Sequence, residues 1–379
     1  MTSPLVLISA GEASSDMYAA RLATALRERT GAQLFGMGGS RMAEAGVELI
    51  ADYHEVAVVG IYEVLHKIPA VIGVQRRLAR EAARRRPALA ILVDSPGTHL
   101  GVARRLKGLG IPVGYFIGPQ VWAWRRGRVR VVRRLVNRMV VIFPFEEKFY
   151  RDAGVPVDFV GHPLVDVVKP AMPRAEFASR HGLDASRPIV TLLPGSRRSE
   201  IERHFPRIAA GCESLAREGQ VQFACAAAPG LDKEIFARYS RPAFAVKIVE
   251  RATYDALAAA DCAVVASGTA TVEAALLGTP MVVVYRVSSA SAFLLKRLIH
   301  TPFIAMANLI AERKVVPELI QDHFTPQAVE SELHRLLDSP AAREVMKAAL
   351  AEVRAKLGPG GAMERAADIF AQMLESRGN

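Results

Sequence analysis

Four short strings in this 379-residue chain combine glycine with hydroxyl, carboxylate or guanidinium groups at spacings that could do chemistry. The first is Ser9-Ala10-Gly11-Glu12-Ala13-Ser14-Ser15-Asp16. Glycine lets the chain turn sharply, and a helix start presents N–H groups that favour an anion. The plainer reading makes Ser15 or Asp16 a helix cap. In the second string, Val93-Asp94-Ser95-Pro96-Gly97-Thr98-His99, either Asp94 or His99 could take a proton from a sugar hydroxyl. Alternatively, Asp94 caps the next helix and His99 lies on the surface.

The third string, Leu193-Pro194-Gly195-Ser196-Arg197-Arg198-Ser199-Glu200, has small residues at Gly195 and Ser196 that allow close backbone approach. Arg197 adds a forked positive charge suited to diphosphate oxygens, and the spacing is not that of a Walker loop. In the fourth, Ala266-Ser267-Gly268-Thr269-Ala270-Thr271-Val272-Glu273, small hydroxylated residues would aim N–H groups and side chains at a phosphate. Glu273, one turn on, could accept from ribose hydroxyls; ordinary capping by Thr269 to Glu273 is the alternative.

The elements that position these strings follow one rhythm: a β-branched run, a turn, a helix. That rhythm predicts parallel sheets covered by helices. Strands are predicted at Leu5 to Ser9, Leu34 to Met37, Leu89 to Val93, Val113 to Ile117 and Met139 to Phe143. A second set lies at Ile189 to Leu193, Val221 to Ala226, Ala245 to Val249, Cys262 to Val265 and Met281 to Val284. Helices are predicted at Tyr18 to Arg29, Ile72 to Arg86, Glu200 to Ala216, Thr269 to Leu277 and Ala362 to Glu375. A Pro-rich stretch between Gly161 and Pro188 reads as the boundary between two doubly wound domains facing a cleft.

Composition narrows the classes. Apolar residues make up 51% and charged residues 23%, which excludes a disordered chain. The net charge of +11 favours anionic partners. The charge-free run Gly108 to Trp124 is cut by glycines and prolines, so no spanning helix is expected, and Leu5 to Ala10 is too short for a signal-peptide core. A cytoplasmic protein is expected. The scattered Cys212, Cys225 and Cys262 read as buried apolar residues rather than a disulfide or zinc set. Six arginines fall in Gln75 to Arg86 and six in Arg125 to Arg134. With the apolar stretch Val56 to Gly73 beside the first, they point to an anionic membrane surface more than to nucleic acid. Ordinary core is the alternative for the apolar stretch.

Taken in order, Gly11 to Asp16, Val59-Gly60-Ile61-Tyr62-Glu63-Val64, Pro119-Gln120-Val121-Trp122-Ala123-Trp124, Phe143-Pro144-Phe145-Glu146, Val160-Gly161-His162-Pro163-Leu164, Leu193 to Arg197 and Ala266 to Glu273 resemble the lipid-A-disaccharide synthases. The resemblance runs from Gly11 to about Gln321. It implies an α/β fold of GT-B type, with two doubly wound Rossmann-like domains facing an interdomain cleft. Residues 1–165, joined by the C-terminal helix 355–379, would form the acceptor- and membrane-facing domain, and 185–350 the UDP-sugar-binding domain. It also implies transfer of 2,3-diacylglucosamine from its UDP derivative to 2,3-diacylglucosamine 1-phosphate. Since such acyl chains are drawn from the bilayer, the apolar surface around Ile61 to Ile72 and the Arg patches are expected to dock the enzyme on the cytoplasmic face of the inner membrane. The residues expected on the nucleotide are Gly195, Ser196, Arg197, Ser267, Gly268, Thr269 and Glu273, with Asn308 near the pocket by resemblance alone.

The chain departs from the family string Asp-x-Pro-Asp-Phe-Asn, because Gly97 stands at the second acidic position. Asp94, Asp16 and His99, in that order, are the candidates for base. No Asp-x-Asp string occurs, so neither a metal nor another cofactor is expected, and a homodimer is left open. The rivals are a UDP-sugar 2-epimerase on the same frame and an inactive UDP- or lipid-binding protein.

Overall fold

The apolar runs become strands because both faces of each sheet are covered: Val6, Leu7 and Ile8, and all of Leu89–Val93, are fully buried. The computed structural model describes residues 3–56, 61–123, 126–231, 234–239, 244–288, 292 and 301–376. The side chains of 61–66 and 126 fall outside that description. Val59, Gly60, Trp124 and Arg125, and the side chains of Ile61, Tyr62, Glu63, Val64 and Leu65, therefore lie outside the described residues.

The chain divides into two units, Met1–Pro163 with Gly358–Asn379, and Leu164–Leu357. In the first, seven parallel strands, β1 (Leu5–Ala10), β2 (Gln33–Gly38), β3 (Glu48–Asp52), β4 (Leu89–Val93), β5 (Val113–Phe116), β6 (Arg138–Val141) and β7 (Val157–Phe159), run in the order β3-β2-β1-β4-β5-β6-β7. In the second, β8 (Ile189–Leu193), β9 (Gln222–Ala227), β10 (Val246–Glu250), β11 (Cys262–Ala266), β12 (Met281–Tyr285) and β13 (Glu318–Ile320) run β10-β9-β8-β11-β12-β13. The order reverses between β1 and β4, and again between β8 and β11. At such a switch point the loops leaving the strands' carboxyl ends diverge and open a crevice. The four chemical strings leave β1, β4, β8 and β11, the strands that flank the two reversals.

Three strands escape the sequence reading: β3, β7 and β13. Each is at a sheet edge and mostly half-buried, so it lacks the continuous apolar run of a central strand. Val113 to Ile117 ends at Phe116 because Ile117 turns into the left-handed region, with φ 60°. The Arg-rich helix spans Ile61–Arg85, starting well before Ile72 and carrying Pro69 within it. The segment read as a boundary region is largely packed into the second unit. There Arg174 donates to the Ala259 carbonyl and pairs with Asp261 at 2.9 Å, while Asp255 accepts from the Ala171 and Met172 N–H groups.

The C-terminal helix Ala362–Glu375 belongs to the first unit. It packs on the helix Ala13–Thr30, with Arg29 on Asp368 at 2.5 Å. Gly114 of β5 makes room for it, since a Cβ there would lie 2.5 Å from the Phe370 ring. Among the described residues, no helix is long and apolar enough to cross a membrane.

Candidate active site

In the second unit a cavity of about 420 Å3 opens at the β8/β11 reversal. Its walls come from the ends of three strands: Gly195, Ser196 and Arg197 after β8, Ala228 and Pro229 after β9, and Ser267, Gly268 and Thr269 after β11. Gly195 has φ 134°, and a Cβ there would come within 2.6 Å of Glu200. That closeness has a purpose. Glu200, in the first turn of the helix Arg198–Arg217, accepts from the N–H groups of Ser196 (2.9 Å) and Arg197 (3.1 Å) and holds the Arg197 guanidinium at 3.0 Å. The N–H groups of Ser196 and Arg197 are thus taken, and the charged group that the loop offers an anion is the exposed Arg197 side chain.

The β11 end completes the cradle differently. Gly268, φ 148°, precedes the helix Thr269–Leu276, whose first N–H groups have no intrahelical acceptor. Ser267 donates its hydroxyl to the Ile304 carbonyl at 3.1 Å, so its side chain is engaged within the fold. Glu273 lines the cavity beneath the Tyr254 hydroxyl, 3.4 Å away, and burial raises its pKa above the usual carboxylate range. Asn308 is not part of this wall. Fully buried, it donates to the Val316 carbonyl and Glu318 and accepts from the N–H groups of Val315 and Val316, which uses all its amide bonding sites. Its work is to hold the turn into β13.

Sequence reasoning missed His204. Buried on the helix Arg198–Arg217, it donates from Nδ1 to the Pro194 carbonyl (2.7 Å) and accepts at Nε2 from the Arg286 N–H (3.0 Å). The ring ties the loop after β8 to the chain leaving β12, and burial keeps it neutral.

In the first unit Ala10 pairs with Val93, so the residues just beyond them, Glu12 and Asp94, emerge side by side. Asp94 and Ser95 both hold left-handed backbone, φ 52° and 49°, a conformation that non-glycine residues adopt only when held. Two donors hold it: the Tyr115 hydroxyl (2.6 Å) and His99 Nδ1 (2.7 Å) both reach the Asp94 carbonyl. Gly11 supplies the remaining space, because a Cβ there would sit 2.5 Å from the Ser95 side chain.

This geometry separates the three base candidates. His99 is fully buried, its Nε2 bonded to Ser9 Oγ at 2.9 Å, and burial lowers its pKa to about 4. It is a neutral brace for Asp94 rather than a surface residue. Asp16 accepts from the N–H groups of Gly39 (2.6 Å), Arg41 (3.3 Å) and Met42 (3.4 Å), anchoring the start of the helix Ser40–Glu44. The Asp94 carboxyl keeps a partner of another kind. Burial, and then the charge of the neighbouring Glu12, raises it to about 7.

A further carboxyl stands near it. Glu146 is buried, accepts from Trp122 Nε1 (3.0 Å) and the Phe143 N–H (3.3 Å), and is pushed up to about 8, chiefly by burial and also by the charge of Asp94. Trp122 meets Phe145 edge-on at 4.7 Å, Phe143 stacks on Phe145 at 5.5 Å, and His162 lies 5.0 Å from Phe143. Three strings far apart in sequence thus converge on one aromatic cluster around a carboxyl. Gly97, by contrast, is exposed, with nothing within 4 Å of where a Cβ would stand.

Two doubly wound parallel sheets with polar loops at their switch points define an α/β protein of GT-B type, built from two Rossmann-like units. Solved structures with this fold include MurG from Acinetobacter baumannii (TM-score 0.63, 14% identity, covering 98% of this chain and 100% of that one). A UDP-GlcNAc 2-epimerase from Neisseria meningitidis, bound to UDP-GlcNAc, matches at TM-score 0.64 and 11% identity, covering 99% and 100%. At such identities the likeness is one of fold alone. Sequence is more specific. The family described as lipid-A-disaccharide synthetase matches residues 6–370. The lipid-A-disaccharide synthases of Solibacter usitatus and Myxococcus xanthus are 46% and 45% identical, over 99% and 98% of this chain and 98% of each relative. The chain belongs to the lipid-A-disaccharide synthase family and is a glycosyltransferase of lipid A synthesis.

Proposed function

We propose that the enzyme joins UDP-2,3-diacylglucosamine to 2,3-diacylglucosamine 1-phosphate, giving the β-1,6-linked disaccharide 1-phosphate and UDP. The observation that carries this reading is the cavity at the β8/β11 reversal, where a guanidinium and an open helix start face one space of nucleotide size. Arg197 takes the diphosphate, the first turn at Thr269 meets a second phosphate oxygen, and Glu273 accepts from the ribose. As UDP leaves, these donors meet the charge that develops on it, a role that mutagenesis of comparable donors values at roughly 3–4 kcal/mol each. No metal is assigned a role.

Asp94 is the base in this proposal. Its carboxylate takes the proton of the acceptor 6-hydroxyl while the oxygen attacks the anomeric carbon. The bond from that carbon to the diphosphate oxygen breaks, its electron pair leaves with UDP, and a single displacement inverts the centre. With Asp94 raised to about 7, a substantial fraction is ionised at neutral pH, yet the group is basic enough to accept a proton. Burial sets most of that value, and the charge of Glu12, the neighbour across β1 and β4, adds to it in the absence of an acid at Gly97. The acyl chains place both substrates in a bilayer, so the enzyme works as a peripheral protein on the cytoplasmic face of the inner membrane.

The test is to incubate purified protein with both substrates in detergent containing EDTA and to look for UDP and disaccharide phosphate by mass spectrometry. Product under chelation is expected. Epimerised UDP-N-acetylglucosamine without acceptor, or UDP binding without turnover, would overturn the reading.

A further inference from the structure

The helix Ile61–Arg85 bears a groove that the proposed reaction does not use. About 410 Å3 of space opens beside its middle turns, floored by Ala70, Gly73 and Val74 and walled by Arg76, Arg77 and Arg80. Gly73 faces open space, with nothing within 4 Å of where a Cβ would stand.

The charges around the groove are unbalanced, and the rest of the helix shows that this is local. Two turns on, Arg84 and Arg85 are both tied to Glu81, at 2.6 and 2.8 Å, and Arg85 also to Glu48 at 2.6 Å. In the groove only Arg77 has a carboxylate: its Nη2 reaches both oxygens of Glu55 at 2.7 Å, while its buried Nε finds no acceptor. Arg76 and Arg80 are exposed and pair with no acid among the described residues. Toward the N-terminus of the helix stands Ile68, 44% exposed, one of two large hydrophobic side chains that are exposed among the described residues.

Two free guanidinium groups above an apolar floor, with an exposed isoleucine at one end, suit an amphiphile whose head is a phosphate. We propose that this groove binds the phosphate headgroup of an anionic phospholipid, between Arg76 and Arg80, with the glycerol and upper acyl carbons along Ala70, Gly73 and Val74. A free phosphate would leave the apolar floor unused, and a nucleic acid strand would need a track of cations longer than one groove. The site deepens the membrane-facing reading above and rests on it, but not on the transfer chemistry.

Its test is flotation of the full-length protein with vesicles of phosphatidylcholine alone or with phosphatidylglycerol added, at low salt. Wild type should bind the anionic vesicles and lose most of that binding without phosphatidylglycerol. A basic residue at such a surface contributes roughly a fivefold factor, so the double variant Arg76→Gln/Arg80→Gln should weaken binding roughly twentyfold to thirtyfold. Gly73→Leu, which favours the helix while filling the groove, should weaken it as well. The paired Arg84→Gln serves as control and should stay within about twofold of wild type, as a general charge effect would not predict. Equal losses for Arg84→Gln and the double variant would overturn a specific site. Charge-independent vesicle binding by wild type and variants alike would overturn the headgroup while leaving membrane docking intact. No vesicle binding at all would overturn both. Unchanged vesicle binding with a raised KM for the phosphorylated acceptor would reassign the groove to the substrate's own phosphate.

Discussion

The pKa of the Asp94 carboxyl is raised first by its burial and then by its neighbour. Burial disfavours its charged form and the charge of Glu12 opposes ionisation further, so Asp94 keeps a proton that a lone surface aspartate would release near pH 4. If Asp94 is the base, kcat/KM rises with pH through about 7, because only the ionised form can accept the proton. Glu12→Gln removes the opposing charge, so Asp94 ionises at lower pH and the acidic limb moves down. A limb that stays in place would end the assignment. Asp94→Asn should lower kcat at least about a hundredfold with UDP affinity within about twofold, measured by calorimetry. Glu146 gives a stability test at the same scale. Its folded-state pKa, about 8, exceeds that of the unfolded chain, so the native state binds the extra proton between about pH 4.5 and 8. Stability from this group is present below the unfolded value and is lost as pH rises through the folded one. Glu146→Gln, which stays neutral, should flatten the fall in urea midpoint between pH 5 and 8.

At the scale of elements, the nucleotide cradle is two strand-to-helix turns of different character. After β8 the Ser196 and Arg197 N–H groups are already met by Glu200, so much of the affinity for a diphosphate falls on the Arg197 guanidinium. Arg197→Gln should weaken UDP binding by roughly 1.5–3 kcal/mol, the usual worth of a hydrogen bond to a charged group. Arg197→Lys should recover only part of it, because one ammonium cannot replace a forked pair of donors. Titration calorimetry with UDP reads both, and full affinity in Arg197→Gln would remove the residue from the site. The same turns show what spacing conceals. His204 and Glu200 shape the loop from positions inside a helix, where a single buried histidine and a first-turn glutamate carry no mark beyond ordinary packing and capping.

Over the whole molecule, the chain returns to its first unit only at the end. Phe370 on the C-terminal helix is fully buried and lies against the bare backbone of Gly114. Phe370→Ala should cost roughly 3–5 kcal/mol in the first unit, seen as a lowered urea midpoint, while UDP binding by Leu164–Leu357 persists at low denaturant. A coincident loss of UDP binding would show that the two units unfold as one.

Sequence by itself determined the central strands, their parallel pairing with helices and the four chemical strings, because strands buried on both faces are written as unbroken apolar runs and the turns between elements are rich in small and polar residues. It also carried the family, through strings whose order along the chain is specific. Of the edge strands, β3, β7 and β13 were not legible in this way, because no continuous apolar pattern marks them, whereas β10, also at an edge, kept a readable Val-Lys-Ile-Val run. Tertiary structure alone decided which polar groups are free. Asp16, His99 and Asn308 have the residue types of a site, yet the fold engages their polar atoms in anchoring a helix start, bracing a left-handed turn and holding the entry to β13. Glu146 titrates near 8 only because the fold buries it, beside Trp122 and Phe143. The availability of a hydrogen bond or a charge depends on neighbours brought together from distant segments, and local spacing does not encode them.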